Sequence, residues 1–262
     1  MVLRLDSNVM LVRYKNINKI SVLRIFLGLL ISGIFSGCTY FNSTPPISTL
    51  ENPLRSRTIG DYPVSGKVLA VQICSSCHGL DGYSNTPIMP NLAGQQKEYL
   101  INQLNDYRDQ TRRNEYGVMY MWGMARGLSD SQINELAEYF SQLKIKPQKI
   151  PYTSESITRG KEIFEKGIPQ QSVLQCNSCH GNEGQGQGSI PRIAGQKAFY
   201  NQKQLNLWKN PDQKRFMEIG GTTWSAKTIH FERPRGNLMQ MISKGLSDSD
   251  IKAVTEYLET MN

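Results

Sequence analysis

Cys74-Ser75-Ser76-Cys77-His78 and Cys176-Asn177-Ser178-Cys179-His180 are two copies of one pattern, C-x-x-C-H. On a helix, positions i, i+3 and i+4 share a face. Two thiols so spaced can add across the vinyl groups of one porphyrin while the next imidazole reaches its iron. That is the attachment chemistry of a c-type haem. A structural zinc site or a thioredoxin-like dithiol also uses C-x-x-C. Each copy here is followed by a polar Gly-rich run, His78-Gly79-Leu80-Asp81-Gly82 and His180-Gly181-Asn182-Glu183-Gly184, and the duplication favours haem. We therefore expect two covalently bound haems c. Cys74, Cys77, Cys176 and Cys179 supply the thioethers, and His78 and His180 are iron ligands.

The second axial ligand follows from counting. The chain has three histidines, and the two motifs use all but His230. At most one haem can therefore be bis-histidine, and thioether is the usual partner in small electron carriers. Lysine or an empty position stays open. Met89, Met119, Met121 and Met124 are the candidates in the first half, and Met217, Met239 and Met241 in the second. Met121 stands seven residues before Leu128, and Met239 seven before Leu246. That shared register selects Met121 and Met239 as ligands over core filling, the ordinary role of a lone methionine. Met119, Met124 and Met241 are read as packing, and His230 as a loop histidine. Pro90 and Pro191 each offer a loop carbonyl that could accept the ring N–H of the proximal histidine. Both prolines could equally be loop punctuation.

The elements that position these residues recur. Pro90-Asn91-Leu92-Ala93-Gly94-Gln95 is echoed by Pro191-Arg192-Ile193-Ala194-Gly195-Gln196. Gln103-Leu104-Asn105-Asp106-Tyr107-Arg108 is echoed by Gln204-Leu205-Asn206-Leu207-Trp208-Lys209, and Gly127-Leu128-Ser129-Asp130 by Gly245-Leu246-Ser247-Asp248. Three echoes in the same order mark a duplicated domain. The offset grows from 101 to 118, so the second half carries 17 extra residues at about 209–237. Helical spacing predicts a helix over 64–77 carrying the first motif, others over 95–108, 156–166 and 196–209, and two opened at Ser129 and Ser247. Ser129-x-x-Gln132 reads as a capping box. Ile133, Leu136, Ala137, Phe140 and Leu143 face one side of its helix, and Ile251, Val254 and Leu258 one side of the other. No strand-like alternation of any length is evident. The domains are set at 61–147 and 148–262, joined by a Pro-containing linker.

The start of the chain is of another kind. Residues 1–37 run from basic (Arg4, Arg13, Lys15, Lys19, Arg24) to apolar (Ile25–Phe35), as in a signal peptide. Ile34-Phe35-Ser36-Gly37-Cys38 is similar to a lipoprotein processing site, which would make Cys38 a lipid anchor. An ordinary signal peptide or a short uncleaved anchor is the alternative. Residues 38–60 are Ser/Thr/Pro-rich and read as a flexible tether. Four of the five cysteines lie in the motifs, leaving only Cys38 and no pair for a structural disulfide. This usage fits export to an oxidising compartment where haem is attached. The formal charge of +8 also misleads, because without residues 1–37 Lys+Arg falls from 30 to 25 and Asp+Glu from 22 to 21, leaving +4. A nucleic-acid partner has no support. Residues 61–147 carry −1 and 148–262 carry +4, so the second domain is expected to dock an acidic partner.

The motifs C-x-x-C-H-G-x-x-G, P-x-L/I-A-G-Q, Q-L-x-x-Y/W and M-x6-L-S-D, in this order and twice over, resemble the cytochrome c4 family from about Asp61 to the end of the chain. The resemblance implies an all-α fold, a tandem repeat of two class I cytochrome c domains related by pseudo-twofold symmetry. The haem propionates would face each other across the interface, with His–Met ligation by His78 with Met121 and His180 with Met239. The implied function is single-electron transfer in a bacterial periplasmic respiratory chain, between a donor complex and a terminal oxidase or reductase, with the membrane reached through the N-terminal anchor or lipid. Two enzymes compete with this. A thiosulfate dehydrogenase of this build would need a cysteine on the catalytic iron, and a peroxidase a histidine switch for which only His230 is left. A non-catalytic electron-entry subunit of a dehydrogenase complex is a third possibility.

Overall fold

The computed structural model describes residues 64–114, 117–146, 150–211, 216–219, 222–225 and 233–262. The expected signal peptide, Cys38, the tether and His230 lie outside them. Helix α1 (Gly66–Leu69) starts where the Ser65 hydroxyl accepts a hydrogen bond from the Val68 amide. It widens into a π-helical turn at Ala70–Cys74 and continues as α2 (Ser75–His78). Helices α3 (Lys97–Arg108), α4 (Trp122–Ala125) and α5 (Asp130–Ser141) complete the first half, with a second π-helical turn, Gly117–Met121, leading into α4. The capping box at Ser129 and Gln132 opens α5. Ile133, Leu136, Ala137 and Phe140 on its inner face pack with Leu69, Leu100 and Tyr107 into one core. Each such large apolar side chain contributes about 1.5–3 kcal/mol when buried.

The second half repeats the plan with α6 (Ser154–Lys166), α7 (Asn177–His180), α8 (Ala198–Lys209), α9 (Asn237–Lys244) and α10 (Asp248–Thr260). A separate core gathers Ile163, Phe164, Leu205, Ile251, Val254 and Leu258. Two local departures separate the halves. In the first, the N-terminal helix runs straight into the cysteine motif. In the second, Gly167 ends α6 at φ 68° and the chain detours through an Ile168–Val173 bridge before α7. The second departure corrects the expectation of no strands. Between α8 and α9, β1 (Phe216–Ile219) pairs antiparallel with β2 (Thr222–Ser225), Ile219 opposite Thr222. A two-residue gap between β-branched and aromatic runs suits a tight hairpin better than any helix.

The terminal helices of each half cross at a glycine. A Cβ on Gly66 would lie 2.4 Å from Glu135 Cβ, and one on Gly160 would lie 2.2 Å from Ala253 O. Both crossings are closed by polar bonds as well. The Glu135 carboxylate accepts from the Gly66 amide at 2.6 Å, and Asp250 accepts from Arg159 Nε and Nη2 at 3.0 and 2.7 Å.

Gly160→Ala is expected to destabilise the protein by about 1–3 kcal/mol, because backbone rather than a movable side chain blocks the new methyl. Gly123→Ala, with nothing within 4 Å, is expected to be neutral or to stabilise α4 by up to ~1 kcal/mol. Denaturant melts of the two variants check the contrast. Burial pushes the Asp250 carboxyl up, but hydrogen bonds from Ser247 and Arg159 outweigh it and hold it below the usual carboxylate range. Its contribution is therefore present above the unfolded value of about 3.9 and is lost as pH falls through the lower folded value. Asp250→Asn is expected to cost about 1–2 kcal/mol at pH 7, a gap that narrows in acid and is read from melts at the two pH values.

Candidate haem sites

The π-helical turn delivers Cys74 at its last position, and α2 then sets Cys77 and His78 one helical turn beyond it. Gly79 must follow. It holds φ 79°, and a Cβ there would lie 2.1 Å from Tyr83 O. Gly181, at φ 83°, ends α7 behind His180 in the same way. The chain then turns back, and Gly82 O accepts from Leu92 N at 2.8 Å, as Gly184 O does from Ile193 N at 2.8 Å. These bonds carry the P-x-L/I-A-G-Q loop under the histidine. His78 Nδ1 donates to Pro90 O at 2.9 Å and His180 Nδ1 to Pro191 O at 2.9 Å. A carbonyl can only accept, so the proton sits on Nδ1 and the Nε2 lone pair is left for another partner. Burial pushes both imidazoles below their ordinary pKa while the proline bonds pull the other way, and the net direction is down. Both rings are held neutral, as a ligand to iron must be.

His78 and His180 open onto one continuous cavity of about 390 Å³ that spans the two halves. Cys74 and Met121 line it in the first half, Cys176, Cys179 and Met239 in the second. Burial in its apolar walls pushes the Cys74 thiol up to about 11 and the Cys176 thiol up to about 12, so neither is poised as a thiolate. A zinc site needs four N, O or S ligands. Among the described residues no three His, Cys, Asp or Glu side chains gather into such a site.

The methionines divide. Met121, at the end of the second π-helical turn, and Met239, on α9, are half-buried against the two cores and line the cavity. Met89 lines it too. Met124 and Met241, expected to pack, are 45% and 69% exposed. Met241 stands about 200° round α9 from Met239, which turns it away from the core.

Two sets of residues escaped the sequence reading. Gln95 Oε1 accepts from Arg192 N at 2.7 Å while its Nε2 donates to Arg192 O at 2.9 Å. Gln196 clasps Asn91 identically, at 2.8 and 2.9 Å. Each motif copy thus grips the other. The second set is a pair of arginines. Arg112, 4% exposed, lies over the Tyr107 ring at 4.5 Å, donates to Gln103 Oε1 at 2.6 Å, and reaches Tyr200 and Gln204 of the other half. Arg233 lies over Trp208 at 4.6 Å, donates to Gln204 Oε1 at 2.9 Å, and bonds the Tyr99 hydroxyl of the other half. Tyr107 and Trp208 are echo positions, as are Tyr99 and Tyr200, so the two arginines occupy equivalent places.

Arg112 Nε, Arg192 Nη2 and Asn201 Nδ2, all on residues lining the cavity, are buried donors with no protein acceptor. An apolar slot lined by motif cysteines, neutral imidazoles and thioethers, with unpaired buried donors on its walls, two of them guanidinium, fits a haem and its propionates.

The comparisons with known proteins agree. The cytochrome c family model matches residues 64–144 and again 157–262. Cytochrome c4 of Thiocapsa roseopersicina is 31% identical over 78% of this chain and 94% of its own. A thiosulfate dehydrogenase electron acceptor of Thiomonas intermedia is 36% identical over 71% of this chain and 76% of its own. The solved structure of Acidithiobacillus ferrooxidans cytochrome c4 is 33% identical, with a TM-score of 0.59, covering 72% of this chain and 98% of that one. With two cytochrome c domains, two covalently bound haems c and electron transfer as its function, the chain belongs to the cytochrome c family and, within it, to the dihaem cytochromes c4.

Proposed function

We propose that the chain relays single electrons between redox proteins of a bacterial periplasm, entering at one haem and leaving at the other, with no bond-making chemistry at either iron. The observation that carries this is the pairing, in each half, of a neutral buried imidazole and a methionine on the wall of the same apolar cavity. In this reading His78 with Met121, and His180 with Met239, hold the irons, and Cys74, Cys77, Cys176 and Cys179 hold the porphyrins. A haem bound there supplies a one-electron ferric–ferrous couple. The residues set its potential. The proline carbonyls make the imidazoles better donors. The soft thioethers and the low-polarity walls work the other way, favouring the less charged ferrous iron. Arg112 adds a buried positive charge that opposes the ferric state further. Iron held between an imidazole and a thioether would have no open position for a substrate, and no cysteine beyond the four of the motifs stands in either domain.

A donor complex on one side and a terminal oxidase or reductase on the other suit a carrier exported to the periplasm, with Cys38 and the 38–60 tether holding it to a membrane. No helix of the described residues is long and apolar enough to cross one. A second reading names the donor. A 36% identical relative bears the name thiosulfate dehydrogenase electron acceptor, which points to a thiosulfate-oxidising enzyme upstream of this chain too.

Met121→Ala and Met239→Ala are each expected to abolish the near-infrared sulfur-to-iron band of one haem, lower that haem's potential and leave the other unchanged. Persistence of both bands in Met121→Ala would move the ligand to Met89. Arg112→Gln is expected to favour the ferric state of one haem by about tenfold, about 1.4 kcal/mol, as one buried charge is lost; spectroelectrochemical titration checks it.

A further inference from the structure

The carbonyl that receives the His78 proton and the amide that Gln196 grips are two ends of one peptide group. Pro90 O accepts from His78 Nδ1 at 2.9 Å, and the N–H across the same peptide, that of Asn91, donates to Gln196 Oε1 at 2.8 Å. The second half repeats this with the partners exchanged. Pro191 O accepts from His180 Nδ1 at 2.9 Å, and Arg192 N–H donates to Gln95 Oε1 at 2.7 Å. His78, Asn91, Gln95, His180, Arg192 and Gln196 are all buried, so water does not compete for these bonds. The orientation of each side-chain amide is fixed, because its oxygen also accepts from the next backbone N–H, Gln96 at 2.9 Å and Lys197 at 3.0 Å.

We propose that Gln95 and Gln196 are crossed tuning residues, each setting the electron-donating strength of the histidine that serves the haem of the other domain. The physical basis is peptide resonance. Drawing on the N–H strengthens the C–N double-bond character and places more negative charge on the carbonyl oxygen. A more negative oxygen pulls harder on the Nδ1 proton, the imidazole gains anionic character, and it becomes a stronger donor that favours ferric iron. Consecutive hydrogen bonds in a buried chain reinforce one another by about 10–30% each. Gln196 thus lowers the potential of the haem served by His78, and Gln95 lowers that of the haem served by His180. This rests on the two histidines being iron ligands.

The test uses the intact dihaem protein. Gln196→Leu removes the acceptor while keeping the volume, and is expected to favour reduction of the His78 haem by roughly two- to fourfold. The His78 Nδ1 proton resonance of the reduced protein is expected to move upfield, with His180 unmoved. Gln95→Leu should give the mirror result at the His180 haem. Gln196→Glu, which keeps an oxygen acceptor and makes it more negative, should shift the His78 haem in the opposite sense. Loss of an interdomain contact alone would disturb both haems together. Equal shifts at both haems, a shift confined to the glutamine's own domain, or no shift overturns the relay. Should one leucine variant not fold, the other and Gln196→Glu still decide. The ligand assignment is tested apart from this by His78→Ala. A surviving six-coordinate low-spin spectrum at that haem refutes the ligation, whereas unmoved potentials with ligation intact refute only the relay.

Discussion

Each buried histidine must give its Nδ1 proton to something, and the rest of the molecule is arranged so that a proline carbonyl takes it. An imidazole left without that acceptor would pay the desolvation of an unpaired N–H and could turn the wrong nitrogen to the cavity. The carbonyl has to arrive from a loop twelve residues after His78 and eleven after His180. It arrives because the backbone reverses sharply at Gly79 and Gly181, and because Gly82 and Gly184 hydrogen-bond the returning loop. The glycines behind each C-x-x-C-H are thus part of the histidine's geometry.

The same loop makes the joint between the halves. A domain that had merely been copied would present its P-x-L/I-A-G-Q loop to solvent. Here the two copies face each other, and the glutamine that ends one clasps the residue after the proline of the other. Both clasps are buried, and each glutamine amide is engaged through its oxygen and its nitrogen, the condition under which polar groups add specificity at little desolvation cost. Asn91 Nδ2 adds a bond to Gly195 O at 2.9 Å, while Arg192 has no matching one, so the symmetry is approximate. Arg112 and Arg233 extend the joint on one side. The second of them lies beyond the hairpin, so the extra residues of the second half leave the chain back at the place its counterpart holds.

Much of this was legible in the sequence, and the remainder was hidden for identifiable reasons. Ser129 with Gln132 and Ser247 with Asp250 mark helix starts because side-chain oxygens there can serve free backbone amides, and both capping boxes form. The inner faces of α5 and α10 follow from 3.6-residue spacing. The hairpin also had a signal, since Gly220-Gly221 between Phe216-Met217-Glu218-Ile219 and Thr222-Thr223-Trp224-Ser225 is a tight-turn pattern. The crossing glycines had a weaker one. Gly66-Lys67 echoes Gly160-Lys161, but Gly66 precedes its first cysteine by eight positions and Gly160 by sixteen, so a fixed offset misses the pair. Gln95 and Gln196 were visible as a repeat yet silent about role. Each has its partner about a hundred residues away in the other copy, and periodicity within one copy carries no information about contacts between copies.

The arginine pair shows why the composition is lean. At 39% hydrophobic the chain builds two modest cores, one on either side of a shared cavity. A guanidinium buried as deeply as Arg112, with glutamines and a tyrosine hydroxyl as its hydrogen-bond acceptors, is unfavourable by several kcal/mol unless an anion answers it. Arg233 stands in the equivalent place in the other half and has the same need to a lesser degree, since it is only half-buried. A pair of haem propionates at the joint would meet the requirement, and the porphyrin rings would supply the apolar mass that the side chains do not. The haems on this view are structural members of the interface as well as its redox centres. On the proposed ligation, positive charge held at the joint by two arginines and electron density returned through two proline carbonyls would act on the potentials in opposite directions. Both are set where the domains meet.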